Sequence, residues 1–235
     1  MELGDLDSRI DFYISQLEEQ DQEELSHRLA ELSHAFPFSD FDYKLMYLQH
    51  KGVLSFNSYE DLRSIYMAAN PYLNLFEQDP RQFGEDWGIS HLLQVAPGFQ
   101  RPSTALDPTY DGQYDLWLDG IRVSVKAARA INAETEGTLV AKAMKHGSDE
   151  PFWMNFQQLN LGSCDVFVFI GVWVDCLIYW ALSSEEARAH KYLSHMRRGG
   201  IEYQIGIKNT NLDEFNPYML PPDAIAERVH MLGGG

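Results

Sequence analysis

The sequence has few of the features that mark several common protein classes. Only two of its 235 residues are cysteines, Cys164 and Cys176, which fits neither a disulfide framework nor a zinc site; we expect buried thiols. No run approaches the roughly 20 uninterrupted apolar residues that a membrane span needs. The chain also shows no glycine-rich phosphate loop, no Ser-His-Asp order and no metal-ligand spacing among its histidines. We therefore expect a globular protein with no membrane segment.

Basic residues are also scarce. The chain has 18 Lys and Arg against 35 Asp and Glu, a formal charge of −17, and phosphate affinity comes largely from Lys and Arg. The distribution of the charges along the chain weakens this argument against a nucleic-acid partner. Residues 1–35 carry ten acidic and two basic side chains, whereas 122–145 hold five basic against two acidic and 187–208 hold five against one. The acidic N-terminus differs from a basic signal peptide, so we expect a cytoplasmic protein.

Apolar spacing predicts helices in the first part of the chain. A solvated helix pair is expected from Asp5 to about His34, a helix beginning near Ser58, and another from about Pro80 to Val95 that places Glu85 on an apolar stripe. We predict a helical N-terminal region over 1–79 and a second domain over 80–235.

Strand patterns dominate the second predicted domain. Asp119-Gly120 is a two-residue turn signal between two apolar runs, and residues 165–182 indicate two buried strands. Residues 131–160 are expected to be helical and looping, and Ser183 with Glu186 predicts a capping box for a helix over about 184–195. One more strand follows. The order indicates an α/β (α+β) fold with a mixed β-sheet flanked by helices.

A lysine within the predicted hairpin carries the functional argument. If Asp119 and Gly120 form the turn, Asp115 falls opposite Ser124, and Lys126 shares their face. An apolar strand has little reason to carry an ammonium group unless a carboxylate, a metal-bound water or a phosphate lies nearby.

The chain resembles the PD-(D/E)xK nuclease superfamily, whose marks are an upstream helical glutamate, an aspartate on one strand of a hairpin and a carboxylate-x-lysine on the next strand. The segments "FGEDWGISHLL", "YDLWLDGIRVSVKAARA" and "DVFVFIGVW" make the chain similar to a type II restriction endonuclease over about residues 80–182. The resemblance implies a restriction-endonuclease-like core and metal-assisted phosphodiester hydrolysis.

The resemblance implies that the site binds a magnesium ion, a cation that prefers oxygen ligands. Asp115 would ligate it and the carbonyl of Val125 would complete the site. Lys126 would orient or help deprotonate the attacking water and offset developing charge. Glu85 would bind the metal through water or hold the site in place.

Ser124 departs from the family pattern, which has Asp or Glu there. A hydroxyl can hydrogen-bond a metal-bound water but brings no charge. Some restriction enzymes resemble this Ser-x-Lys arrangement and take the lost acid from a following helix, for which Glu134 and Glu136 are the candidates. The alternative is a chain with weakened catalysis.

The expected partner is double-stranded DNA, cut at a specific sequence by a homodimer, because a palindromic site calls for two active sites related by a two-fold axis. The rival hypotheses are a non-catalytic DNA-binding protein that kept the nuclease fold, and a repair or RNA-processing nuclease. Side chains that can hold phosphates or read bases make these residues candidates for DNA contact: Arg129, Arg197, Arg198, Gln204, Lys208, Asn209 and Asn211.

Overall fold

The chain forms two compact units. The computed structural model describes residues 3–32, 40–79, 82–197 and 201–234. The first unit comprises 1–77, 132–148 and 174–176, and the second comprises 78–131, 149–173 and 177–235. The predicted boundary at 79/80 lies close to where the first segment of unit one ends, but the sequence did not indicate that two later segments join that unit.

Four helices build the first unit: α1 (Leu3–Ile14), α2 (Glu19–Leu32), α3 (Asp40–His50) and α4 (Phe56–Ala69). α4 begins two residues before Ser58, because the Ser55 hydroxyl accepts a hydrogen bond from the Ser58 amide and caps the helix. The expectation of a merely solvated helix pair at the N-terminus was wrong. The two helices contribute buried side chains to a shared core, which includes Leu6, Ile10, Leu17, Leu25, Leu45, Leu48 and Leu62.

The second unit contains two sheets. A five-stranded sheet has the order β1-β2-β5-β6-β9, and a four-stranded sheet has the order β3-β4-β8-β7. The strands are β1 (Leu116–Leu118), β2 (Ile121–Arg129), β3 (Ile131–Asn132), β4 (Phe152–Leu159), β5 (Val166–Val172), β6 (Leu177–Ser183), β7 (Leu193–Arg197), β8 (Ile201–Lys208) and β9 (Met219–Leu220).

The predicted hairpin is confirmed. β1 and β2 are antiparallel with Leu116 opposite Val123 and Leu118 opposite Ile121. The turn takes Asp119 to φ 46° and Gly120 to φ 98°, the left-handed conformation that tight hairpin turns require and glycine adopts readily. β2 then pairs in parallel with β5, and β5 pairs in antiparallel fashion with β6, so the five-stranded sheet is mixed, as predicted.

Helices accompany the sheets. A π-helical segment (Gln82–Trp87) leads into α5 (Gly88–Val95), and α6 (Ser184–Ala189) and α7 (Ile225–Gly233) follow later. The capping box is confirmed, because the Ser183 hydroxyl accepts from the Glu186 amide while the Glu186 carboxylate accepts from the Ser183 amide. The chain is thus a mixed α and β protein. No helix of the described residues is both long enough and apolar enough to cross a membrane.

Two sequence predictions in the second half of the chain were wrong. The stretch from 131 to 160, expected to be helical and looping, contains β4, in which Phe152, Met154 and Phe156 are buried on alternate positions. The helix predicted over about 184–195 ends at Ala189, and β7 follows from Leu193. Antiparallel pairing of β7 with β8, the next strand of the chain, overrides the local helical pattern there.

We expect Gly171→Ala to destabilise the protein. A Cβ at this position would lie 2.7 Å from Cζ3 of Trp180 and 3.0 Å from Cζ3 of Trp173, and both indoles are buried. Overpacking of this kind lowers the free energy of unfolding by about 1–3 kcal/mol. Urea denaturation measures it.

Gly84→Ala is the matched control, because a Cβ there would meet nothing within 4 Å. Its helical position gives a stabilisation of at most about 1 kcal/mol. Equal urea midpoints for the two variants would contradict the packing around Gly171.

Candidate active site

The carboxylate of Asp115 is fixed by the strand opposite it. Asp115 directly precedes β1, and its main-chain amide donates to the Val123 carbonyl at 3.0 Å. Its Oδ2 atom accepts two hydrogen bonds, from the Ser124 hydroxyl at 2.9 Å and from the Val125 amide at 2.7 Å. Among the described residues Oδ1 accepts no hydrogen bond. One carboxylate oxygen is therefore anchored, and the other is available to a ligand.

Lys126 lies two residues beyond Ser124 on the same strand. Its neighbours Val123 and Val125 are buried at 0% and 2% exposure, whereas Lys126 is half-buried. Within the described part of the chain its ammonium group makes no hydrogen bond and no ion pair. A half-buried cation without a protein partner is suited to an anionic ligand.

Cys164 lies beside the start of β2, because the next residue, Asp165, donates its amide to the Arg122 carbonyl at 2.8 Å. Its side chain is buried, and burial raises the pKa of its thiol to about 11; the charges of Asp165 and Asp115 add to this increase and that of Lys126 opposes it. The sequence predicted a buried thiol here but did not place it beside the hairpin.

A second acid lies nearby but is already paired. Asp165 accepts from the Arg122 guanidinium at 2.6 and 3.1 Å and from the Arg122 amide at 2.8 Å. Burial would raise the pKa of Asp165, but the bonds from Arg122 outweigh it and lower that pKa. Sequence reasoning missed this pair. Its signal was an aspartate directly before the buried strand β5.

The helix that carries Glu85 packs on β2. A Cβ on Gly88 would lie 3.3 Å from Cβ of Ala127 and 3.8 Å from Cγ1 of Val125. Side chains alternate between the faces of a strand, so this helix covers the face opposite the one that bears Ser124 and Lys126. The Glu85 side chain lies outside the described residues, and its role at the metal stays a prediction.

Glu134 and Glu136 are exposed and belong to the first unit, whereas Asp115 belongs to the second. Locally, the side chain of Asn132 accepts hydrogen bonds from the amides of Glu134 at 2.8 Å and Thr135 at 3.1 Å, which forms a tight turn. The hypothesis that one of these glutamates replaces the missing carboxylate stays a prediction.

Two of the predicted DNA-contacting residues have internal roles. Arg129 is 8% exposed, its guanidinium lies 4.0 Å over the Phe83 ring, and it donates to the Gln78 carbonyl at 2.7 Å. Burial lowers the pKa of Arg129 to about 10. Asn211 is 3% exposed; it accepts from the Lys208 amide at 2.8 Å and donates to the Gly206 carbonyl at 3.1 Å. Neither side chain has the exposure that a DNA contact needs.

The remaining predicted DNA contacts lie on or beside β7 and β8. Lys208 and Asn209 are exposed at the end of β8, and Gln204 within β8 accepts from the Asn155 amide at 2.9 Å. Arg197 is the last residue of β7, but its side chain lies outside the described residues. Arg198 lies outside them altogether. Two of the five basic residues of 187–208 are engaged within the protein, because Arg188 donates to the Leu161 carbonyl and Lys191 pairs with Glu214.

The chemistry of the donor set limits which metal the site suits. The described residues contain no group of three or more acids, histidines and cysteines placed to hold a metal ion. Mg²⁺ needs fewer protein ligands, because it keeps several waters and takes one or two carboxylates together with substrate phosphates. The open Oδ1 of Asp115 fits such an ion, and the Val125 carbonyl is the second predicted ligand.

No protein-family model matches the chain, and neither curated proteins nor solved structures match it.

Cys164 should react slowly with thiol reagents. At pH 8 a thiol with a pKa of about 11 is roughly one part in a thousand thiolate, against about one part in four for an ordinary cysteine. In a Cys176→Ser variant we expect alkylation of Cys164 to be at least about a hundredfold slower in the folded protein than in urea. Equal rates would contradict the buried position of Cys164.

Proposed function

We propose that this protein is a Mg²⁺-dependent, sequence-specific endonuclease that cuts double-stranded DNA. The observation that carries the proposal is the β1–β2 hairpin, in which an anchored carboxylate with one open oxygen shares a face with a half-buried, unpaired lysine. This combination can hold a cation on one side and a phosphate oxygen or a water on the other. The resemblance to PD-(D/E)xK nucleases gives these residues the same roles.

The topology of the sheet supports the proposal. The resemblance places the aspartate and lysine on a hairpin and a later buried strand beside it. Here β1 and β2 form that hairpin, and the fully buried β5 pairs in parallel with the lysine-bearing strand, with Lys126 level with Phe169. The buried β5 is hydrogen-bonded along the strand that carries the reacting groups, and this pairing keeps them in place.

The chain's own residues divide the work of hydrolysis. When bound, magnesium would supply Lewis-acid activation and neutralise phosphate charge; Asp115 and the Val125 carbonyl would hold it. Ser124 and the Val125 amide hold the Asp115 carboxylate in one orientation. Lys126 donates from its ammonium to the attacking water or to a non-bridging phosphate oxygen, where negative charge grows in the transition state. The protein would act as a cytoplasmic homodimer, since cutting both strands requires two such sites.

A second candidate is a DNA-binding protein with the nuclease fold and little or no catalysis. The observation that favours it is the charge of the described site. Ser124 occupies the position of a carboxylate in the resembling family, and the nearby Asp165 is neutralised by Arg122. Asp115 is then the one acid with a described side chain in the second unit that the resemblance assigns to the metal.

Incubation of the protein with plasmid DNA and Mg²⁺ separates these functions. Discrete fragments support a sequence-specific endonuclease, binding without cutting supports the second candidate, and unspecific degradation supports a nuclease of another type. Retention of full cutting when Mg²⁺ is removed by a chelator would contradict the proposed metal requirement.

We expect Asp115→Asn to reduce cleavage to less than a tenth of wild type, because an amide cannot supply the charge that holds the metal. DNA binding in Ca²⁺, measured by fluorescence anisotropy, should be largely kept. The control is Asp119→Asn, which changes an exposed acid at the hairpin turn and should leave cutting unchanged. Cutting by Asp115→Asn above a tenth of wild type would refute the site.

The role of Ser124 is tested by two opposite substitutions. Ser124→Ala removes one hydrogen bond to Asp115, which is worth about 1 kcal/mol or more to a charged acceptor, so cleavage should fall about tenfold. If Glu134 or Glu136 supplies the missing charge, its replacement by alanine should cost nearly as much as Asp115→Asn, and adding Ser124→Glu should partly restore cutting.

A depleted site gives the opposite pattern. Neither glutamate then matters, and Ser124→Glu alone raises cutting from a low level. Mg²⁺-dependent cleavage of Ser124→Glu, Glu134→Ala, Glu136→Ala and the two combinations distinguishes the two explanations. Wild-type behaviour in all five would leave Lys126 as a structural lysine.

A further inference from the structure

The strand that carries Ser124 and Lys126 also carries a second cation on the same face. Side chains alternate between the two faces of a strand, so Arg122, Ser124 and Lys126 of β2 project to one side. The Ser124 hydroxyl donates to the Asp115 carboxylate at 2.9 Å, so the two cations lie on either side of that carboxylate along β2. The side chain of Arg122 is 37% exposed, and a ligand can therefore reach it.

Asp165 holds the guanidinium of Arg122 in one orientation. Its Oδ2 atom accepts from Nε of Arg122 at 3.1 Å, and its Oδ1 atom accepts from Nη2 at 2.6 Å, a bidentate pair. Oδ2 also accepts from the Arg122 amide at 2.8 Å, and the Asp165 amide donates to the Arg122 carbonyl at 2.8 Å. Bonds through both the main chain and the side chain leave the guanidinium little freedom to turn.

The third nitrogen of this guanidinium is open to a ligand. Within the described part of the chain Nη1 of Arg122 makes no hydrogen bond, so its two N–H groups remain available. The hydrogen bonds to Asp165 raise the pKa of Arg122, which keeps the group charged. A planar guanidinium with five donors can bond a carboxylate along one edge and a phosphate oxygen along another.

The charges around the hairpin suit a phosphate when magnesium is bound. Asp115 and Asp165 lie on the face of Arg122 and Lys126, and the charge of Asp107 also acts on Arg122. Asp107 already accepts three hydrogen bonds from nearby residues. Three acids against two cations leave one net negative charge, which a Mg²⁺ ion at Asp115 would convert to one net positive charge.

The spacing of the two cations fits one nucleic-acid strand. A β-strand rises about 3.3 Å per residue, so the Cα atoms of Arg122 and Lys126 lie about 13 Å apart. One strand of duplex DNA advances about 3.4 Å along the helix axis per nucleotide. With Lys126 at the phosphate that is cut, Arg122 faces a phosphate of the same strand at most about four nucleotides away.

We propose that Arg122 binds a second phosphate of the DNA strand that is cut, and that Asp165 is its positioning residue. This inference rests on the proposed function. The contact is made to the DNA backbone, so it adds affinity that does not depend on base sequence. The competing explanation is an ion pair that joins the start of β2 to the start of β5 and touches no ligand.

The double variant Arg122→Gln/Asp165→Asn tests the proposal. It replaces the ion pair by two amides that can still hydrogen-bond, and it leaves the net charge of the chain unchanged. Binding to a DNA duplex of random sequence is measured in Ca²⁺ by fluorescence anisotropy over a series of salt concentrations. We expect binding to weaken about tenfold and the slope of log K against log salt to fall by about one.

Two further variants serve as controls. Asp165→Asn alone should keep the wild-type slope, because Arg122 is still present. Glu24→Gln/Arg28→Gln replaces an ion pair of the helical unit, which has an N–O distance of 2.9 Å, and should bind as wild type does. Thermal unfolding verifies that each variant folds. If the double variant does not fold, Arg122→Lys should still weaken binding about fivefold, because lysine lacks the planar fork.

The outcomes separate this inference from the nuclease itself. Wild-type affinity and slope in Arg122→Gln/Asp165→Asn overturn the phosphate contact, and continued cutting of plasmid then leaves the nuclease proposal in place. A reduced slope in a protein that never cuts plasmid in Mg²⁺ supports the contact and refutes the nuclease. An equal fall in slope for Glu24→Gln/Arg28→Gln, or no binding of the duplex by wild type, overturns the inference.

Discussion

The candidate site depends on the two hydrogen bonds that Oδ2 of Asp115 accepts from Ser124 and Val125. They form because the Asp119-Gly120 turn fixes the register of the hairpin. A slip of one residue would turn Ser124 to the other face and leave the carboxylate without its donors. A hydroxyl can hold Asp115 in this way, whereas a carboxylate at position 124 would repel it unless a cation lay between them. With Ser124 the site has one negative charge fewer than the family pattern. In return, the carboxylate of Asp115 has a fixed orientation.

Positive charge is scarce in this protein, so the location of each basic side chain matters. Several basic side chains are engaged internally: Arg122 neutralises Asp165, and Arg129 packs over Phe83 inside the second unit. Lys126 differs from them, because it is half-buried on an apolar strand and has no partner among the described residues. The chain as a whole is negative, with a net charge of −17, whereas Lys126 is a local positive charge. A partly desolvated cation attracts an anion more strongly than an exposed one does, which favours the phosphate ligand proposed for this site.

The sequence by itself determined the hairpin, its register, the buried pair of strands and the capping box at Ser183, because each depends on neighbours within about 20 residues. It also indicated Asp115, Ser124 and Lys126 as one group, since side-chain alternation follows directly from strand register. Only the tertiary structure decided that β4 is a strand, because its partner β8 is distant in the sequence. It also decided that β7 is a strand paired with the next strand, β8, where the local pattern favours a helix. It likewise decided that Arg129 and Asn211 point inward and that Cys164 and Asp165 lie beside the hairpin. Burial and ion pairing are properties of surroundings that the chain assembles only when it folds.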